Sequence, residues 1–235
     1  MTEHTHRQFD TEMEALRTGV LSMGGLVETQ LQRAITLLEA DEAHPDLDQV
    51  GADEQLINQM QVDMDQQCSQ IIAKRQPAAI DLRMILTVTK IVNDLERVGD
   101  ETKKVAYKAS EASNHHRLAQ VRTFDVTRSA ERARNMLQLA LDAFARLDPS
   151  AAAQVIDMDE ELDAAFSSTL RQLISYMMED PRTISSALEI VFIAKSIERI
   201  GDHAKNIAEA VVQVVKGVDV RHATAEQIRA EVAEE

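Results

Sequence analysis

Apolar residues return every three or four positions through Phe9, Met13, Leu16, Val20, Met23, Val27, Leu31, Ala34 and Leu38. That spacing lays one continuous stripe along a helix, so the pattern predicts a first helix from about Phe9 to Ala40. A second is predicted from Pro45 to about Arg75, with Ile57, Met60, Met64, Cys68 and Ile71 inward. A third is predicted after Pro77, reaching about Glu111 on Leu82, Ile85, Val88, Ile91, Leu95, Val98, Thr102 and Val105. The polar run Ser113-Asn114-His115-His116 breaks the rhythm and sets a boundary between residues 1–114 and 115–235. Beyond it three more helices are expected, at about Ala119–Leu147, Ser150–Met178 and Thr183–Val215. The last has Ile190, Ile193, Ile197, Ile200, Ala204, Ile207 and Val211 inward, and the polar tail after Gly217 is expected to fray.

The prolines show that the second set of helices repeats the first. Pro45 and Pro149 stand 104 positions apart, as do Pro77 and Pro181. Proline is tolerated in the first turn of a helix and breaks its interior, so each marks a helix start. A second repeat is more pointed. Leu95-Glu96-Arg97-Val98-Gly99-Asp100 returns 102 positions later as Ile197-Glu198-Arg199-Ile200-Gly201-Asp202. Each copy places Gly inside a helix, where it is destabilising by about 1 kcal/mol relative to Ala. The expected fold is all-α, two tandem three-helix bundles of long antiparallel helices.

Composition narrows the functional classes. Aromatic residues are 3% of the chain against 44% hydrophobic overall, so the core must be aliphatic and rich in methionine. The net charge of −15, with no block of Lys or Arg, argues against binding nucleic acid, whose affinity comes from basic side chains that displace phosphate counterions. It likewise disfavours docking on an anionic membrane and favours cations or basic partner surfaces. Cys68 is the single cysteine, which excludes an internal disulfide and suits the reducing cytosol. Neither a secretory h-region at the N-terminus nor an apolar run of the roughly 20 residues needed to cross a bilayer is visible.

Residues four apart share a helical face, so Glu96 with Asp100, and Glu198 with Asp202, each present two carboxylates beside the core stripe. Asp159 and Asp163 form a third such pair on the fifth helix, and Glu54 with Asn58 stands at the equivalent place on the second. If neighbouring helices bring these together, each half gathers three or four oxygen donors, a set suited to Mg or Mn and able to accept Fe or Zn. The glycines would let a helix approach or leave room for an ion. With 40 acidic residues, such pairs also arise by chance as solvated surface, and Arg97 and Arg199 can simply pair with Glu residues. His4, His6, His115 and His116 sit in polar segments where adventitious metal binding is the plainer reading. Cys68 lies on an apolar stripe as a structural thiol, and Met23-Gly24-Gly25 suits close helix packing or a bend.

Several blocks together resemble the PhoU family of bacterial phosphate-transport accessory proteins. They are Met23-Gly24-Gly25-Leu26-Val27-Glu28, Ala73-Lys74-Arg75-Gln76-Pro77 with Asp81-Leu82-Arg83, and both Glu-Arg-x-Gly-Asp repeats. Asp142-Ala143-Phe144-Ala145-Arg146 and Tyr176-Met177-Met178-Glu179-Asp180 complete the set. The resemblance implies tandem three-helix bundles and a metal motif at Glu96/Asp100 and Glu198/Asp202, supported by Asp159/Asp163 and Glu54/Asn58. The neutral Asn58 departs from the acidic pattern and predicts a weaker or differently selective first site. It further implies a non-enzymatic, cytoplasmic negative regulator of the phosphate-starvation response and of phosphate uptake. As a homodimer, it would contact the sensor kinase PhoR and the ATPase subunit PstB of the Pst transporter, peripheral at the inner membrane through that transporter. Two other classes compete: a metal-dependent enzyme handling phosphate or polyphosphate, and a metal-free helical scaffold.

Overall fold

The computed structural model describes residues 2–40, 46–114, 125–221 and 223–233. The described residues form α1 (Thr2–Glu39), α2 (Asp46–Arg75), α3 (Ala79–Asn114), α4 (Val126–Arg146), α5 (Pro149–Glu179), α6 (Ile184–Lys216) and α7 (Ala225–Ala233). A single 3-10 turn, Pro181–Thr183, leads into α6. No strand occurs among them. Helices α1, α2 and α3 pack on one another, as do α4, α5 and α6, giving two three-helix bundles joined along α3 with α6 and along α1 with α4.

The prolines act where they can be described. Pro149 and Pro181 each follow an aspartate that caps the new helix. Asp148 accepts hydrogen bonds from the Ser150 and Ala151 amides at 2.9 and 3.1 Å, and Asp180 from the Arg182 amide at 3.0 Å. A proline whose missing N–H is an orphan anyway, set behind a side-chain cap, is a strong start signal. Pro77 precedes α3 by two residues. Pro45 lies outside the described residues, and α2 begins at the next residue, Asp46.

Three expectations need correction. The helix placed from about Ala119 begins at Val126, because Asp125 takes a left-handed conformation with φ 55°; residues 115–124, including Ala119, His115 and His116, lie outside the described residues. Ser113 and Asn114, read as a break, are the last residues of α3. The tail expected to fray instead forms α7, which packs on α5 by burying Ile228 and pairing Arg229 with Asp157. A nine-residue helix is too short to stand on its own propensity, so this docking is what makes it a helix.

The core is aliphatic, with Phe144 its one fully buried aromatic among the described residues and Met23, Met64 and Met136 filling between branched side chains. Its central seam is α3 against α6. Lys90 Nζ donates to Gln213 Oε1 at 2.8 Å near one end, Arg199 meets Glu101 at 3.0 Å in the middle, and Lys108 lies 4.9 Å above the Phe192 ring near the other. The two helices therefore run antiparallel with the two repeated glycines at the same level. Between these points Asp94 Oδ1 accepts from Asn206 at 3.1 Å and meets His203 Nδ1 at 2.9 Å.

Each glycine of the repeat faces its own bundle. A Cβ at Gly201 would lie 2.3 Å from Leu162 Cδ2, whereas at Gly99 the nearest atoms, of Gln30 and Ile57, are both 3.3 Å away. The second glycine is thus there for close approach of α5, rather than to leave room for an ion. Gly24 plays the same part between α1 and α4, where a Cβ would come within 2.7 Å of Leu141. Leu162 is 1% exposed and has nowhere to swing. Gly201→Ala is expected to lose about 1–3 kcal/mol from overpacking, partly offset by better helix propensity. Gly99→Ala, which asks Gln30 and Ile57 to give only a few tenths of an ångström, should lose less than Gly201→Ala, by about 1 kcal/mol or more. Urea unfolding of the two variants measures the contrast, and equal losses would contradict this reading of the packing.

Candidate functional site

The acidic pairs of the second half converge because α5 and α6 pack face to face around Leu162 and Gly201. Asp159 and Asp163, one turn apart on α5, meet Asp202 on α6, with one carboxylate oxygen from each lying within 4.8 Å of the others. Asp159 is 2% exposed, and its Oδ1 has no hydrogen-bond partner, while its Oδ2 accepts from Lys205 Nζ at 2.7 Å. Asp202 is half-buried and Asp163 is exposed, so the triad runs from the core to the surface. Glu198 lies close enough for its charge to act on both Asp202 and Asp163, but its carboxylate is engaged by Lys195. Burial first, then the charges of Glu198, Asp159 and Asp163, push the Asp202 carboxyl up to about 6. Asp163, although largely exposed, is also raised, by partial desolvation and by the charges of Asp159 and Glu198.

The first half arranges its counterparts differently. Burial, then the charge of Asp100, raises Glu96, and Glu54 adds to the effect, so these three carboxylates share one neighbourhood. Asn58 donates to Glu54 Oε1 at 3.2 Å, and its own Oδ1 is buried without a partner. Glu54 Oε2 pairs with Lys103 at 3.1 Å. Three carboxylates gathered within 4.8 Å of one another occur only in the second half among the described residues. Asn58 holds the place of Asp163, and the missing charge there is one visible difference between the two clusters.

Two lysines are not among the expected site residues. Lys103 and Lys205 stand 102 positions apart, and each pairs with an acid of its cluster on the neighbouring helix, Glu54 and Asp159. The signal was present as an extension of the repeat, since Gly-Asp-x-x-Lys occurs at Gly99–Lys103 and again at Gly201–Lys205. What could not be read was the reach of a four-carbon side chain across to a neighbouring helix. Arg199 does pair with a glutamate, but with Glu101 of the opposite bundle. Cys68 is buried, and burial raises its thiol despite a hydrogen bond to Thr89, the setting of an inert cysteine.

A divalent ion fits the donors of the second cluster. They are all oxygen, which suits hard cations, and a 98%-buried carboxylate carries an oxygen with no protein partner. Without an ion the same carboxylates repel one another. A carboxyl raised from the ordinary value near 3.9 to about 6 is better protonated in the folded than in the unfolded chain. The stability it contributes is therefore present at low pH and falls as pH rises through about 6. Asp202→Asn should stabilise the metal-stripped protein by about 1–2 kcal/mol at pH 7.5, after allowance for solvent access, and by about a third of that at pH 4.5. Urea unfolding in chelator across this range tests the expectation, and parallel pH profiles for the two proteins would refute it.

The chain matches the PhoU domain twice, over residues 20–109 and 126–211. It is 44% identical over 237 aligned residues to the phosphate-specific transport system accessory protein PhoU homolog of Pseudomonas putida, covering 99% of this chain and 90% of that one. With the phosphate-specific transport system accessory protein PhoU of Escherichia coli (strain K12) it shares 40% identity over 229 residues, 97% of this chain and 93% of the relative. The crystal structure of PhoU from Pseudomonas aeruginosa superposes with a TM-score of 0.82 at 42% identity, spanning 89% of this chain and 100% of that chain. The crystal structure of the phosphate transport system regulatory protein PhoU from Streptococcus pneumoniae, 24% identical, shares the fold with a TM-score of 0.81. The duplicated bundle, the paired acidic motifs and these alignments agree: the chain belongs to the PhoU family.

Proposed function

We propose that this protein is a non-enzymatic regulator of phosphate uptake that holds the phosphate-starvation response off when phosphate is plentiful. The observation that carries the reading is the 44% identity over 99% of the chain to a relative named as an accessory protein of the phosphate-specific transport system. Regulation of this kind works through surfaces, and α6 offers one. Ile184, Leu188 and Phe192 recur at four-residue spacing, and each is more than 40% exposed. Ile174 and Met178 near the end of α5 add further exposed apolar side chains. Apolar side chains grouped on one outer helix face are a frequent mark of a protein interface. The partners on this reading are the ATPase subunit PstB of the Pst transporter and the sensor kinase PhoR, met by a cytoplasmic homodimer. Among the described residues no helix is long and apolar enough to cross a membrane, so a link to the membrane would run through the transporter.

Metal ions belong to the same proposal. Asp159, Asp163 and Asp202 would hold a divalent or transition ion such as Mg, Mn, Fe or Zn, with Glu198 beside them. Glu54, Asn58, Glu96 and Asp100 would hold one more weakly in the first half. The ion's part is structural, neutralising carboxylates that would otherwise push α5 away from α6. The lysines at the clusters do not favour an enzyme, because each is already engaged by a carboxylate.

Three outcomes follow. A strain lacking the gene should express phosphate-starvation genes in high phosphate, and the wild-type gene should restore repression. Leu188→Glu with Phe192→Glu, at exposed positions where stability should change by under about 1 kcal/mol, should fold but fail to restore it; full repression by that variant would remove α6 from the docking surface. Asp159→Asn with Asp202→Asn should lower the Mn content of the purified, Mn-supplemented protein, as read by elemental analysis, and unchanged content would remove these residues from the metal site.

A further inference from the structure

Lys205 lies between two acids. On one side its Nζ donates to Asp159 Oδ2 at 2.7 Å, at the innermost point of the carboxylate triad. On the other, one helical turn further along α6, stands Glu209, a 7%-exposed carboxylate. Lys205 and Glu209 line the same surface cavity of about 440 Å³, together with Asp202, His203, Asn206 and Arg221. The charges of Lys205 and Glu209 act on each other, and Arg221 adds a second positive charge near Glu209. A glutamate four residues from a lysine on one helix face is within reach of an ion pair. The cavity that contains both also borders Asp202, so the acidic triad opens to solvent beside the lysine.

We infer that Lys205 is a two-position counter-ion for the second acidic cluster: its ammonium neutralises Asp159 when no metal is bound and moves to Glu209 when a divalent cation takes the triad. This rests on the metal reading given above and adds the device that admits the ion. An ammonium seated on Asp159 Oδ2 repels an incoming divalent ion and leaves it only Oδ1 of that carboxylate. Lys205 is 33% exposed, but Glu209 is a buried carboxylate, and a buried charge without a partner is costly, so Glu209 competes with water for the ammonium as it leaves Asp159. Glu209 is the receiver. In the repeat Lys103 copies Lys205, but the position 102 before Glu209 is Tyr107, a neutral side chain. The first cluster therefore has the counter-ion without the second seat, and its lysine stays on Glu54.

A double-mutant cycle on the full, metal-stripped chain tests this, with Mn²⁺ binding followed by isothermal titration and the fold of each variant by circular dichroism. Lys205→Met should bind Mn²⁺ on the order of tenfold more tightly, the size of the repulsion between an ammonium and a divalent ion about 5 Å apart in a solvated site. Glu209→Gln should weaken binding by a similar factor in the wild-type background and have no effect when Lys205→Met is already present. Lys205→Gln, which keeps a donor for Asp159, replaces Lys205→Met should the latter not fold. An equal loss from Glu209→Gln in both backgrounds would mean that Glu209 acts on the ion by charge alone, and would overturn the two-position lysine while leaving the metal site standing. No Mn²⁺ binding by any variant would overturn the metal reading and this inference together.

Discussion

Two helices, α3 and α6, lie antiparallel across the middle of the molecule, and their packing sets the position of every other element. Each is needed on three sides at once. α3 meets α1 and α2 of its own bundle and α6 of the other; α6 meets α4, α5 and α3. This explains why α6 is apolar over most of its circumference, with the consecutive residues Ala210, Val211 and Val212 all buried. The seam between the two is not apolar throughout. Glu101 is 3% exposed and meets Arg199, and Asp94 gathers His203 and Asn206. A buried ion pair contributes little net stability, because desolvation offsets the attraction. Its effect is on register: sliding α3 along α6 by a turn would take Arg199 from Glu101 and leave that buried carboxylate only Lys104 of its own helix.

The acidic clusters follow from that frame. Because α6 is committed to α3 on one face, its Glu198 and Asp202 can only look towards α5, and Gly201 lets Leu162 sit against the α6 backbone at that level. The close approach that buries Leu162 also brings Asp159 and Asp163 onto Asp202. Carboxylates are thus held together by apolar packing beside them rather than by attraction among themselves. The raised Asp202 carboxyl records the strain of that arrangement, and a bound cation or the nearby lysines relieve it.

Duplication made two copies of this device, and a handful of side chains separate them. Asn58 stands where the second half has Asp163, and Tyr107 stands where it has Glu209. The first substitution removes a charge from the cluster, and the second removes an alternative seat for its lysine. Both changes leave the helices and the glycine untouched, so the fold tolerates them while the chemistry of the two sites diverges.

Helix number, approximate ends and the inward stripes were legible in the chain because they depend on local periodicity and on prolines whose geometry is intrinsic. The repeated Glu-Arg-x-Gly-Asp segments likewise announced paired carboxylates on two helix faces. Three things were decided only by tertiary structure. The tail after Gly217 carries a start signal, the reciprocal capping box of Thr224 and Gln227, but a helix of nine residues is too short to stand alone and holds by burying Ile228 on α5. Gly201 read equally well as space for an ion or as a contact, and the position of Leu162 chose contact. Lys103 and Lys205 were ordinary surface residues by sequence until the rotation of α3 against α2, and of α6 against α5, aimed their ammonium groups at Glu54 and Asp159. Local pattern determines which face a residue occupies, while the phase between packed helices determines what that face meets.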